Sequence, residues 1–254
     1  MHYVAFISPL GGTGQTTLVA NVATALSRRG NPCLAVDLAA QNTLGLHLGL
    51  LQPAINGWAS AAAAGRWVGE VGLENSETVG YLPFGAATVE ELEAIDRLLK
   101  QPLWLQNQLS ELQLDPQALV LLDAPTWPAA LSRQALQCAD MVLACLSASV
   151  GACKVQQLVQ SIFDQAPATA DKAVVITDFD PRRKLQLDAL QTLRGQWSEY
   201  LVPYAVHRDE NQPAALTQAS CVCTLTPHAQ SAHDMQGIAS LIAKRCGIET
   251  GASS

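Results

Sequence analysis

The stretch Pro9-Leu10-Gly11-Gly12-Thr13-Gly14-Gln15-Thr16-Thr17 sets three glycines and three threonines between an apolar run ending at Ile7 and a helical apolar pattern beginning at Leu18. A strand, a glycine-rich turn and a helix in that order let backbone N–H groups converge on phosphate oxygens, and the helix N-terminus adds its positive dipole end. Gly11, Gly12, Thr13, Gly14, Gln15, Thr16 and Thr17 are therefore candidate phosphate contacts, with the Thr16 hydroxyl directed at a Mg²⁺ ion. The generic pattern G-x-x-x-x-G-K-[ST] is broken twice, by Pro9 at its first glycine and by Gln15 at its lysine. The Gln15 amide can donate neutral hydrogen bonds. Exchanging a charged donor for a neutral one removes about 1 to 3 kcal/mol of phosphate binding unless another cation substitutes. A tight strand-to-helix turn without a ligand is the alternative, although such a turn would tolerate bulkier residues than glycine.

Two carboxylates close apolar runs that read as buried strands: Asp37 after Ala35-Val36, and Asp123 after Leu119-Val120-Leu121-Leu122. An acid at a strand end beside a phosphate loop can hold a Mg²⁺-bound water, and Asp123 is the stronger candidate of the two. The same positions also suit a carboxylate capping neighbouring backbone N–H groups. Ala39 follows Asp37 by two residues and has no polar group to orient or deprotonate water. Thr177-Asp178 and Arg208-Asp209 end later runs and are candidates for contacts to a base, with a plain loop threonine and a surface salt bridge as the alternatives.

These residues need a scaffold that places strand ends together. Short apolar runs at 3–7, 33–38, 79–84, 118–123, 141–146, 173–176 and 201–206 alternate with helical patterns at 17–29, 89–112, 153–164, 185–200 and 230–246. That alternation predicts an α/β fold with a doubly wound, mostly parallel sheet flanked by helices. We place one nucleotide-binding domain over 1–248 and a loose tail at 249–254.

Composition narrows the function. The chain has 254 residues, 49% apolar and 15% charged, against roughly 25% charged in an average globular protein. Fifteen Lys and Arg face 22 Asp and Glu, a net charge of -7, which is the opposite of the basic footprint of most nucleic-acid binders. No apolar run approaches the roughly 18 residues of a membrane span, and no secretory signal opens the chain, so a cytoplasmic location is expected. The seven cysteines show no CxxC spacing and read as reduced, mostly buried thiols. Cys221-Val222-Cys223 and the pair His228 and His233 lack companions at metal-ligand spacing. The five tryptophans read mainly as cover for core edges.

The motif G-G-x-G-x-T-T after the first strand resembles the deviant Walker A motif, K-G-G-x-G-K-T-T, of the ParA/MinD-type ATPases, a branch of the P-loop NTPases (SIMIBI class). Leu10 occupies that motif's signature-lysine position, and Ala35 to Asn42 resembles its switch I segment, with Ala39 where those enzymes carry the acid that positions water. The resemblance implies an ATP- and Mg²⁺-binding homodimer with slow or absent hydrolysis. Gly57-Trp58-Ala59, Gly65-Arg66-Trp67, Leu82-Pro83-Phe84-Gly85 with Glu90-Glu91, and His207-Arg208-Asp209-Glu210 resemble the BcsQ (YhjQ) branch found in bacterial cellulose-synthesis operons. That resemblance implies pairing with a BcsR-like small protein, support of cellulose synthase components from the cytoplasmic side of the inner membrane, and membrane association through partners. An active ATPase positioning a partner machine and a nucleotide-free scaffold are the alternatives; DNA partitioning is disfavoured by charge.

Overall fold

The seven apolar runs each become a strand of one sheet in the computed structural model, which describes residues 1–248; the tail expected at 249–254 lies outside the described residues. The strands are β1 (His2–Ile7), β2 (Cys33–Asp37), β3 (Leu73–Glu74), β4 (Gly80–Leu82), β5 (Leu119–Asp123), β6 (Met141–Ser147), β7 (Asp171–Phe179) and β8 (Leu201–His207). Their order across the sheet is β3-β4-β2-β5-β1-β6-β7-β8, with β3 antiparallel to β4 and all other neighbours parallel. β3 has only two residues, both exposed, and so has no apolar run to mark it.

Helices cover both faces, which is why the central strands read as unbroken apolar runs. Successive residues of β1 still point to opposite sides: Val4 and Phe6 join the core beneath helices Gln15–Ser27 and Gln230–Arg245, while Ala5 and Ile7 face the core built around Trp58, Trp104 and Ile162. Trp127 and Trp197 are also buried there, whereas Trp67 is half exposed.

Two long helical patterns divide. The expected helix at 89–112 is two, Val89–Leu98 and Trp104–Ser110. Pro102 disfavours helix in the residue before it, and Leu103 then takes a left-handed φ of 56°. Thr88 opens the first of them with a reciprocal cap, accepting from the Glu91 N–H while Glu91 accepts from the Thr88 N–H. The pattern at 153–164 becomes Val150–Cys153, capped by Ser149, and Gln156–Gln165. Cys221 precedes a helical turn, Val222–Leu225, that holds Cys223, and the Cys221 thiol donates to the His47 carbonyl at 3.2 Å. Among the described residues no helix is long and apolar enough to cross a membrane.

β1 sits at the centre, between β5 and β6, with Phe6 in register with Asp123. Asp123 is in turn in register with Asp37 of β2. The parallel arrangement thus brings the loop after β1 and both strand-end acids to one end of the sheet, the end at which open α/β folds bind ligands.

Candidate functional site: a glycine-turn cavity with a negative wall

The turn after β1 passes through Gly12 and Gly14, whose φ values of 72° and 71° lie in the left-handed region that side chains rarely adopt. Helix Gln15–Ser27 starts immediately after. Apart from the adjacent residues, no atom lies within 4 Å of the position that a Cβ would take at Gly11, Gly12 or Gly14, so the loop backbone borders open space. That space is a cavity of about 530 Å³, bounded by the loop from Leu10 to Thr17, by Ala39, Gln41 and Thr43 after β2, and by Asp123 to Thr126 after β5. Among the described residues its lining contains no lysine, arginine or histidine, and Asp123 is its only charged side chain.

The sequence-based candidates divide into four groups, one of which is Asp37 alone, outside the cavity lining. Gly11, Gly12, Thr13, Gly14, Gln15, Thr16, Thr17 and Asp123 all line the cavity. Thr177 does not: it is buried, and its hydroxyl lies 2.5 Å from the Thr13 carbonyl and 3.2 Å from that of Leu146, so it braces the loop from behind. Asp178, Arg208 and Asp209 also lie outside the lining. Arg208 pairs with Asp178 at 3.1 Å, and both side chains are partly exposed. Asp209 accepts from the Asn211 N–H at 2.9 Å and from the Ser231 hydroxyl at 2.9 Å, an arrangement that fixes the turn after β8. Gln41, Thr43 and Thr126 are polar lining residues that the sequence reading passed over; their signal is a polar side chain within a few residues of a strand-end acid.

Gln15 reaches along the cavity wall toward β5. Its Nε2 donates to Asp123 Oδ1 at 2.7 Å and to the Ala124 carbonyl at 2.7 Å. The other carboxylate oxygen, Asp123 Oδ2, is buried and has no hydrogen-bond partner. Burial pushes the Asp123 carboxyl above the usual carboxylate range, while the Gln15 amide and the neighbouring Thr16 hydroxyl pull it back down.

Asp37 is satisfied differently. Its Oδ1 accepts from the Ala39 N–H at 3.0 Å and its Oδ2 from the Leu44 N–H at 3.0 Å, the strand-end capping arrangement. Trp58 Nε1 donates to the Asp37 carbonyl at 2.7 Å and ties the β2 end to helix Trp58–Ala63. Burial and then the neighbouring Asp123 charge hold the Asp37 carboxyl well above its ordinary range.

The donor set fits a hard divalent cation held partly by a ligand. An orphaned buried carboxylate oxygen on Asp123 next to the Thr16 hydroxyl supplies oxygen ligands of the kind Mg²⁺ takes, one or two from protein with the rest from phosphate and water. Among the described residues no group of three or more His, Cys, Asp or Glu gathers into a site that would hold a metal unaided.

A sequence model described as "Cellulose biosynthesis protein BcsQ" matches residues 1–246. The chain belongs to the BcsQ family. The BcsQ protein of Escherichia coli K12 is 28% identical over 225 residues, covering 85% of this chain and 82% of that protein. The fold is that of the MinD group. The cell division ATPase MinD of Pyrococcus furiosus superposes with a TM-score of 0.79 at 20% identity, over 96% of this chain and all of that one. MinD of Pyrococcus horikoshii, solved in complex with Mg-ADP, gives a TM-score of 0.77 at 18% identity over 97% of this chain and 98% of that one. This BcsQ-family chain shares with those structures a mostly parallel sheet with flanking helices.

Proposed function

We propose that the chain binds ATP with Mg²⁺ at the loop Leu10 to Thr17, hydrolyses it slowly or not at all, and uses the bound nucleotide to stabilise a homodimer that supports cellulose synthesis and secretion at the inner membrane. The observation that carries this reading is the pairing of a glycine turn that borders a cavity with Asp123 Oδ2, a buried carboxylate oxygen that lacks a partner. Family membership and the Mg-ADP complex of a MinD neighbour support it. When bound, the metal would offset phosphate charge; Asp123 and Thr16 would hold its ligand shell, and the loop N–H groups would orient the phosphates.

Poor hydrolysis follows from the lining. Ala39 borders the cavity and offers no group to take a proton from water. The mechanism is then ligand-linked stabilisation of one assembly state, with no chemical step required. A small BcsR-like protein and the cellulose synthase are the partners that family membership suggests, with attachment to the membrane through them.

Nucleotide extracted from the purified protein and identified by chromatography, followed by the molar mass with and without that nucleotide, tests the proposal. Intact ATP accompanied by a dimer supports a hydrolysis-poor switch. No nucleotide and no change of mass with added ATP would overturn it in favour of a scaffold. One observation favours an active ATPase as the second reading: Gln41 borders the cavity two residues beyond Ala39 and carries an amide able to orient water. Turnover abolished by Gln41→Ala would establish that reading.

A further inference from the structure

The side chain at the position of the missing loop lysine makes two hydrogen bonds, and both point inward. A primary amide nitrogen carries two N–H groups, and those of Gln15 are matched by two acceptors at 2.7 Å, Asp123 Oδ1 and the Ala124 carbonyl. Both partners can only accept, unless Asp123 is protonated, which fixes the amide orientation with nitrogen toward β5. Gln15 therefore has no N–H left for a phosphate oxygen. Its one uncommitted polar atom is Oε1, whose lone pairs repel phosphate oxygens as the Asp123 charge does. Among the described residues no cation in the lining offsets this, and Arg208 is paired with Asp178 outside the lining.

We propose that Gln15 is a positioning residue for Asp123, and that this arrangement makes capture of a nucleoside polyphosphate conditional on a divalent cation. The inference rests on the nucleotide reading above and deepens it. A metal-free polyphosphate meets backbone N–H groups, hydroxyls, an amide oxygen and a carboxylate, with no formal positive charge. A divalent cation answers both anions at once, because Gln15 holds Asp123 with Oδ2 free while the polyphosphate supplies the remaining oxygens.

The test compares binding of ATP in excess Mg²⁺ with binding of ATP in EDTA, by calorimetry, for the nucleotide-stripped full chain and its variants. For the natural chain the metal-free affinity is expected to be weaker by about 100-fold or more, the scale of losing charge-assisted phosphate contacts. Gln15→Lys restores a cation and is expected to narrow that gap to about 10-fold or less. Gln15→Ala removes the clamp and is expected to lower the ligand-free melting temperature by roughly 3 to 10 °C, the shift for losing a hydrogen bond to a charged group in a domain of this size. That melting experiment keeps the proposal testable if the lysine variant does not fold. Equal binding with and without Mg²⁺ would leave the nucleotide reading standing and overturn this one, as would an unchanged melting temperature in Gln15→Ala. A chain that binds neither form overturns both.

Discussion

Asp37 and Asp123 end neighbouring parallel strands in direct register, two buried carboxylates side by side with, among the described residues, no lysine, arginine or histidine in the cavity beside them. Burial holds both above the ordinary carboxylate range, and the Asp123 charge raises Asp37 further. A carboxyl with a raised native pKa binds its proton more tightly folded than unfolded, so its contribution to stability is present below the unfolded value near 4 and is lost as pH rises into the neutral range. Removing one acid should relieve this. We expect Asp123→Asn to gain about 1 kcal/mol or more relative to the natural ligand-free chain on going from about pH 5 to about pH 8. Urea melts of both proteins at the two pH values check it, and parallel pH slopes would refute it.

Trp58 links the acid loop to the core. Trp58→Phe removes the indole N–H that donates to the Asp37 carbonyl and leaves a gap where the ring packs edge-on to Phe84 at 5.0 Å. The expected loss is about 2 to 4 kcal/mol, combining a buried acceptor left unsatisfied with a partial cavity. Equilibrium denaturation measures it; a loss under about 0.5 kcal/mol, the size of a neutral surface change, would contradict the role assigned to the bond.

Thr177→Val keeps the shape of the side chain and deletes the hydroxyl that braces the Thr13 carbonyl. The global cost should be about 1 kcal/mol, with faster amide exchange concentrated in the loop after β1. Native-state hydrogen exchange by mass spectrometry reports both, and unchanged loop protection would argue against the brace.

Gly57 and Gly195 should respond oppositely to alanine. A Cβ at Gly57 would meet the Phe84 carbonyl oxygen at 2.2 Å and the Gly85 nitrogen at 2.3 Å, both backbone atoms that cannot rotate away. We expect Gly57→Ala to cost about 2 to 3 kcal/mol. Gly195 lies in helix Lys184–Gln196 with nothing within 4 Å, so Gly195→Ala should stabilise by about 0.5 to 1 kcal/mol. Thermal melts of the two single variants suffice, and the same sign for both would defeat the argument.

Much of this was legible in the sequence, because strands buried on both faces leave continuous apolar runs and because glycines at positive φ leave few substitutes. β1, β2 and β5 could be placed in this way, and with them the loop, Asp37 and Asp123. What stayed hidden depends on side-chain direction or on a single backbone dihedral. Sequence indicates that Gln15 is a donor but not that both its N–H groups face β5. It places Thr177 at a strand end without revealing that the hydroxyl points back to Thr13. The break in the pattern at 89–112 turns on the local conformation at Pro102 and Leu103, which apolar periodicity does not register.

The two outer strands of the sheet have a consequence for how this protein meets others. β3 offers only two residues, and β8 pairs with β7 through register shifts and carries Pro203, which has no N–H to give. Neither border presents the long, flat row of open donors and acceptors on which a foreign strand could zip up. The chain is thereby guarded against edge-to-edge fibrous stacking.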